Sequence, residues 1–179
     1  HMVVMPDADL EQSTDAIIGA AYGSAGERCM AISVVVVVGD ETADKLIESL
    51  KPKVASLKIG AYDEPGVEMG PVISKQSQEK ILSYIESGIN EGAELKVDGR
   101  SEVKKDGFYI GGCLFDKVTP NMPIYTDEIF GPVLSIVRVS TYDEALVLVN
   151  DHEYGNGTAI FTRDGDTARH FTSNVKVGM

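Results

Sequence analysis

The chain has 179 residues, 43% of them hydrophobic, and a formal net charge of −12. That length supports a real core and that composition excludes a disordered chain. The acidic balance argues against nucleic acid or an anionic membrane surface as a partner, since both need basic patches, but it leaves small anionic ligands open.

No apolar run approaches the roughly 20 residues of a membrane span, and no secretory or transit pattern is read. Two cysteines, Cys29 and Cys113, are too few for a disulfide framework, so a reducing compartment, the cytoplasm, is expected. The three histidines, His1, His152 and His170, have no metal-site spacing, and no metal is expected.

In chain order the pattern alternates helix and strand. Leu10, Thr14, Ile17, Ile18 and Ala21 recur at helical spacing behind Asp9 and Gln12, which resemble a capping box. Residues 32–38 are almost wholly apolar and β-branched, as in a strand buried on both faces. Ala43, Leu46, Ile47 and Leu50 mark the next helix, with Pro52 limiting its far end. A Gly/Pro-rich connection over 60–71 leads to a third helix, N-capped by Ser74, with Ile81, Leu82, Ile85 and Ile89 on its core face.

Short strand candidates at Glu94–Val97 and 108–110 flank a charged turn, and 113–115 is another. Residues 121–132 form a loop and Val133–Val139 a strand. Thr141 and Glu144 make a capping box for a helix carrying Tyr142, Ala145, Leu146 and Val149; His152, near its end, favours the helix dipole. Gly155-Asn156-Gly157 is a turn, 158–162 a strand and 166–174 a helix. The expected fold is α/β: an open, twisted, mostly parallel sheet with flanking helices, in one domain over 1–179.

Cys29 follows the first helix, in Gly26-Glu27-Arg28-Cys29-Met30. A thiol at a helix-to-strand handover is commonly a small buried hydrophobe. Here a guanidinium stands next to it in sequence, and a positive neighbour favours the nucleophilic thiolate. Cys113, beside Leu114 and Phe115, reads as core. No Gly-x-Gly-x-x-Gly or Walker-type loop is present, so the main fold for any nucleotide cofactor is not encoded in these residues.

Five segments, in order along nearly the whole chain, resemble the aldehyde dehydrogenase superfamily. They are His1-Met2-Val3-Val4-Met5-Pro6-Asp7-Ala8-Asp9, Gly26-Glu27-Arg28-Cys29, Met69-Gly70-Pro71-Val72-Ile73-Ser74, Glu128-Ile129-Phe130-Gly131-Pro132-Val133 and Tyr154-Gly155-Asn156-Gly157-Thr158-Ala159-Ile160-Phe161-Thr162. The arginine before the cysteine, and 115–125, most resemble the coenzyme A-acylating branch that acts on methylmalonate and malonate semialdehydes. Gly111-Gly112-Cys113 departs from the Gly-Pro-Thr of many relatives. His1-Met2 reads either as native chain or as a cloning remnant.

The resemblance implies a catalytic domain without its NAD-binding and oligomerisation parts, inactive alone, from an enzyme that is a homotetramer when complete, in the mitochondrial matrix if eukaryotic. It implies Cys29 as nucleophile, Glu128 on the nicotinamide ribose hydroxyls and Phe130 as the wall behind the ring, with NAD as cofactor and coenzyme A as acyl acceptor. Arg28 would bind the semialdehyde carboxylate; without the resemblance it reads as a surface ion pair with Glu27 or a helix acid. Glu128 alone would read as a solvated charge, Phe130 as a loop anchor and Gly131-Pro132 as backbone geometry. A non-acylating aldehyde dehydrogenase and a non-catalytic module are the competing readings.

Overall fold

The computed structural model describes residues 1–103 and 106–179, so the centre of the charged turn, Lys104 and Lys105, lies outside the described residues. The strands are β1 (Met2–Val4), β2 (Val34–Val38), β3 (Glu94–Val97), β4 (Cys113–Asp116), β5 (Val133–Val139) and β6 (Ala159–Phe161). The helices are α1 (Leu10–Tyr22), α2 (Asp40–Ala55), α3 (Lys75–Asn90), the single turn α4 (Pro123–Thr126), α5 (Tyr142–Asp151) and α6 (Gly165–Asn174). The strands form one six-stranded sheet in the order β3-β4-β5-β2-β1-β6. Every pairing is parallel except β3 with β4, an antiparallel edge.

β2 is five consecutive valines, all buried, paired with β5 and β1. Branching at Cβ stiffens the side chain and suits the pleat, and burying each valine contributes about 1.5–3 kcal/mol. The caps follow the sequence: Asp9 Oδ1 accepts from Gln12 N–H at 3.1 Å, Ser74 Oγ from Ser77 N–H at 3.1 Å and Thr141 Oγ1 from Glu144 N–H at 3.2 Å.

Several boundaries differ from the sequence reading. β2 begins at Val34, because Ile32 N–H is held by Ala20 O at the end of α1. α2 passes through Pro52 to Ala55: a proline loses only its own N–H, and Pro52 O still accepts from Ser56 N–H. Residues 108–110 are not a strand. Phe108 O takes Val72 N–H and Ile110 is buried, so the segment is an extended crossing with no ladder. Ile89 is left 36% exposed at the end of α3. β1 and α4 carry too few residues to show a period.

Because β1, β2, β4, β5 and β6 run parallel, they all begin at one edge of the sheet. The segments that enter them there bring together His1, 27–33, 127–132 and 152–158. Nucleotide crevices of open α/β sheets lie outside the carboxyl ends of the strands, at the opposite edge.

Candidate active site

α1 ends in a left-handed turn, with Ser24 at φ 54° and ψ 37°, Ala25 at φ 54° and ψ 30°, and Gly26 at φ 70°. Side chains in that region cost about 1–2 kcal/mol each, and such strain concentrates at functional sites. The turn reverses the chain so that 27–30 emerge at the sheet edge. Gly26 is obligatory: a Cβ there would lie 2.2 Å from Gly131 O, so the cysteine segment and the 127–132 loop touch backbone to backbone. Gly131 is likewise packed, since a Cβ there would lie 2.4 Å from Ile81 Cδ1.

Ala31 N–H donates to Arg28 O at 3.0 Å, closing a tight turn with Cys29 and Met30 at its corners. Cys29 is exposed. Among the described residues its N–H meets no acceptor, which leaves a donor beside the thiol where an oxyanion would form. Glu27 turns the other way, accepting from Ile73 N–H at 2.9 Å and Ser77 Oγ at 3.0 Å.

Arg28 forms no ion pair among the described residues, with Glu27 or with a helix acid. Its Nη2 donates to Gly19 O at 2.7 Å and Ala20 O at 3.4 Å, a second donor on carbonyls that already take Gly23 N–H and Ile32 N–H at the end of α1. Nε and Nη1 make no protein hydrogen bond among the described residues.

Across the turn, Phe130 is 40% exposed and sits at φ 59°, a conformation uncommon for a bulky residue. Glu128 is exposed; its carbonyl accepts from Lys80 Nζ at 2.8 Å, and Tyr84 Oη donates to Asp127 Oδ2 at 2.9 Å. α3 therefore holds the loop from behind. Arg28, Cys29, Glu128 and Phe130 all line one cleft of about 290 Å³. Among the described residues no group of three or more His, Cys, Asp or Glu could hold a metal ion.

The profile of the aldehyde dehydrogenase family matches residues 1–179. The chain belongs to the aldehyde dehydrogenase family. It is 57% identical, over its full length, to the malonate-semialdehyde dehydrogenase of Pseudomonas aeruginosa, and covers 37% of that protein. It is 46% identical over 99% of its length to the acylating mitochondrial methylmalonate-semialdehyde/malonate-semialdehyde dehydrogenase of Bos taurus, covering 33% of it. A Sinorhizobium meliloti 1021 structure solved with NAD superposes with a TM-score of 0.98 at 59% identity, over all of this chain and 37% of that one. The chain thus spans about 37% of the length of the aldehyde dehydrogenases it resembles.

Some residues of this cleft were not legible as site residues. Asn156 Nδ2 donates to Cys29 O at 2.9 Å. His152 does not serve the helix dipole: Nδ1 accepts from Tyr154 N–H at 3.0 Å, which puts the proton on Nε2, 2.9 Å from Tyr125 O, in the uncharged tautomer. The rings of His1, Tyr125 and His152 also meet edge to face, with centroids 4.8–5.6 Å apart. His1, Tyr125, Tyr154 and Asn156 stood in segments that carried the resemblance and His152 did not, and nothing local marked their partners.

The two thiols differ sharply. Cys113 is fully buried, with its sulfur accepting from Gly99 N–H at 3.2 Å, and burial pushes the thiol up to about 11. Limited alkylation at neutral pH followed by peptide mapping is therefore expected to label Cys29 first. Labelling of Cys113 ahead of Cys29 would remove the basis for choosing Cys29.

Proposed function

We propose that this chain carries the catalytic cysteine of an NAD-dependent, coenzyme A-acylating malonate- or methylmalonate-semialdehyde dehydrogenase. The observation that carries the reading is the single cleft in which Cys29, Arg28, Glu128 and Phe130 meet. The names of the relatives and the NAD in the Sinorhizobium structure support it.

In this reading Cys29 Sγ attacks the aldehyde carbon, and Cys29 N–H, together with a side-chain amide from outside this chain, holds the tetrahedral oxyanion. Glu128 would hold the nicotinamide ribose hydroxyls, and Phe130 would wall the ring. NAD, when bound, supplies the hydride acceptor. Cys29 then carries the acyl group as a thioester. The substrate carboxylate leaves as carbon dioxide and the acyl group passes to the thiol of coenzyme A. Malonate semialdehyde gives acetyl-CoA and methylmalonate semialdehyde gives propionyl-CoA. The same thioester released to water would make the enzyme non-acylating; free acid in place of acyl-CoA, from the complete enzyme with coenzyme A present, would decide for that alternative.

Arg28 supplies the test of substrate class. A guanidinium gives a carboxylate charge-assisted hydrogen bonds, and with Nη2 on Gly19 O, Nε and Nη1 each remain as a donor on opposite sides of the group. In the complete enzyme, Arg28→Leu is expected to cost methylmalonate semialdehyde about ten- to a hundredfold in kcat/KM, the loss of a charge-assisted hydrogen bond worth about 1.5–3 kcal/mol. Propanal, with no carboxylate, is expected to lose little, and Arg28→Lys to recover the semialdehyde only partly. Equal losses for both substrates would mean that Arg28 serves only as the cap on Gly19 O and holds the loop.

A further inference from the structure

Between α5 and β6 the chain runs along the cleft, and both ends of that run are tied to it. At one end His152 bridges two backbone groups, taking Tyr154 N–H on Nδ1 at 3.0 Å and donating from Nε2 to Tyr125 O at 2.9 Å. Tyr125 lies in α4, at the root of the loop that carries Glu128 and Phe130. At the other end Asn156 Nδ2 donates to Cys29 O at 2.9 Å. Met30 rests on the same segment: a Cβ on Gly157 would lie 2.4 Å from Met30 Cε, the flexible end of that side chain. The run is also held from behind, with Gly155 O accepting from Gly178 N–H at 2.8 Å and Asn156 O from Met179 N–H at 3.0 Å.

We infer that residues 152–157 form a brace that sets the nucleophile in register with the cofactor loop, Asn156 being the positioning residue for Cys29 and His152 the positioning residue for Glu128 and Phe130. This rests on the roles given to those residues under the proposed function. The physical need is clear. Reacting atoms must approach within about 3–3.5 Å, and a misplacement of about 1 Å costs heavily. Cys29 and Phe130 stand on separate loops that enter different strands. The Gly26–Gly131 contact joins the loops directly and each is tied to α3, through Glu27 to Ser77 and Glu128 O to Lys80, but none of these contacts reaches Cys29 itself.

Asn156 adds a hold on Cys29 itself. Holding Cys29 O fixes the peptide plane after Cys29, while the Ala31 N–H on Arg28 O fixes the plane before it, which carries the Cys29 N–H, so the two together set the Cα–Cβ direction from which Sγ projects. Asn156 is exposed and fills no core space, so its side chain adds little to stability. His152 reaches the other loop through Tyr125, by its carbonyl and its ring, so its removal acts first on Glu128 and Phe130 and not on the thiol.

The test is a double dissociation in the complete enzyme. The readouts are the rate of Cys29 alkylation by iodoacetamide without cofactor, KM for NAD, and the thermal midpoint. Asn156→Leu is expected to slow alkylation and lower kcat by about three- to tenfold, the share of one hydrogen bond, with KM for NAD unchanged. Asn156→Asp, which sets a carboxylate against Cys29 O, is expected to be at least as damaging. His152→Leu is expected to raise KM for NAD by a similar about three- to tenfold, with Cys29 alkylation unchanged. Variants that shift both readouts together, or neither while the thermal midpoint alone moves, overturn the brace. If the wild-type enzyme reduces no NAD with a semialdehyde, the proposed function fails instead, and the alkylation rates of the Asn156 variants still judge the nucleophile end of the brace.

Discussion

Cys29→Ser in the complete enzyme is expected to lower kcat/KM for the semialdehyde by about 10⁴-fold or more, while leaving the thermal midpoint where it was. A serine hydroxyl keeps the shape of the thiol and loses its acidity, and a hydroxyl needs an adjacent base to become a nucleophile. None is provided: among the described residues the Cys29 side chain has no hydrogen-bond partner, and the nearby His152 spends both ring nitrogens on backbone groups. Stability should hold because the residue is exposed and the loop is fixed through its backbone, by Asn156 at Cys29 O and by the turn closed from Ala31 to Arg28. Cys113→Ser is the mirror experiment. It puts a polar group into a fully buried site, so it should lower stability with kcat little changed. Retained turnover in Cys29→Ser would end the assignment of the nucleophile; a large loss of stability would mean the side chain is structural.

How much of this was legible in the residues depends on the range over which each signal acts. The valine run of β2, the caps at Asp9, Ser74 and Thr141, and the burial of Cys113 are local facts, and all appear in the structure. The candidate cleft was legible only as motifs in a row. Composition gave no reason to bring Glu128 to Cys29; the parallel order β5-β2-β1-β6 does that, by starting those strands at one edge.

What stayed hidden was pairwise and distant. Asn156 reads as the middle of a glycine turn until Cys29 O is found beside its amide. Arg28 reads as an ion-pair partner for Glu27 until the left-handed turn at Ser24 and Ala25 aims it back at α1. The segment 108–110 has strand-like residues but forms no ladder, with Phe108 O taken by Val72 N–H and Tyr109 O by Gln78 Nε2. Propensity cannot see that competition.

The Asp116–Arg138 pair is the extreme case of a distant partner, and it yields the largest stability effect expected of this fold. Asp116 ends β4 and is buried, with 1% of its side chain exposed. Arg138 reaches it from β5 through Nε to Oδ1 at 2.9 Å and Nη2 to Oδ2 at 2.8 Å, a two-pronged geometry. The same guanidinium reaches Asp40 at 3.2 Å and Asp44 at 2.7 Å on α2, so one cation ties two strands to a helix. Those carboxylates hold the Arg138 guanidinium still further above its usual range, the Asp116 hydrogen bond contributing most. Asp116 also accepts from Lys117 N–H at 2.7 Å, fixing a residue at φ 55° where β4 ends.

Removing one member of such a pair leaves the other with its desolvation uncompensated. Asp116→Ala is therefore expected to cost about 3–5 kcal/mol, or roughly 6–20 °C in the midpoint of thermal unfolding for a chain of this size. Arg138→Met should cost at least as much, because it leaves the buried Asp116 carboxylate with only the Lys117 amide and Lys96 Nζ at 3.7 Å, whereas the guanidinium left by Asp116→Ala keeps Asp40 and Asp44. The double variant Asp116→Leu with Arg138→Met should recover much of the loss, since two apolar side chains leave no stranded charge. The measurement is a double-mutant cycle by denaturant unfolding. Additive losses in the cycle would show that the two residues act independently and that the short distances carry no coupling.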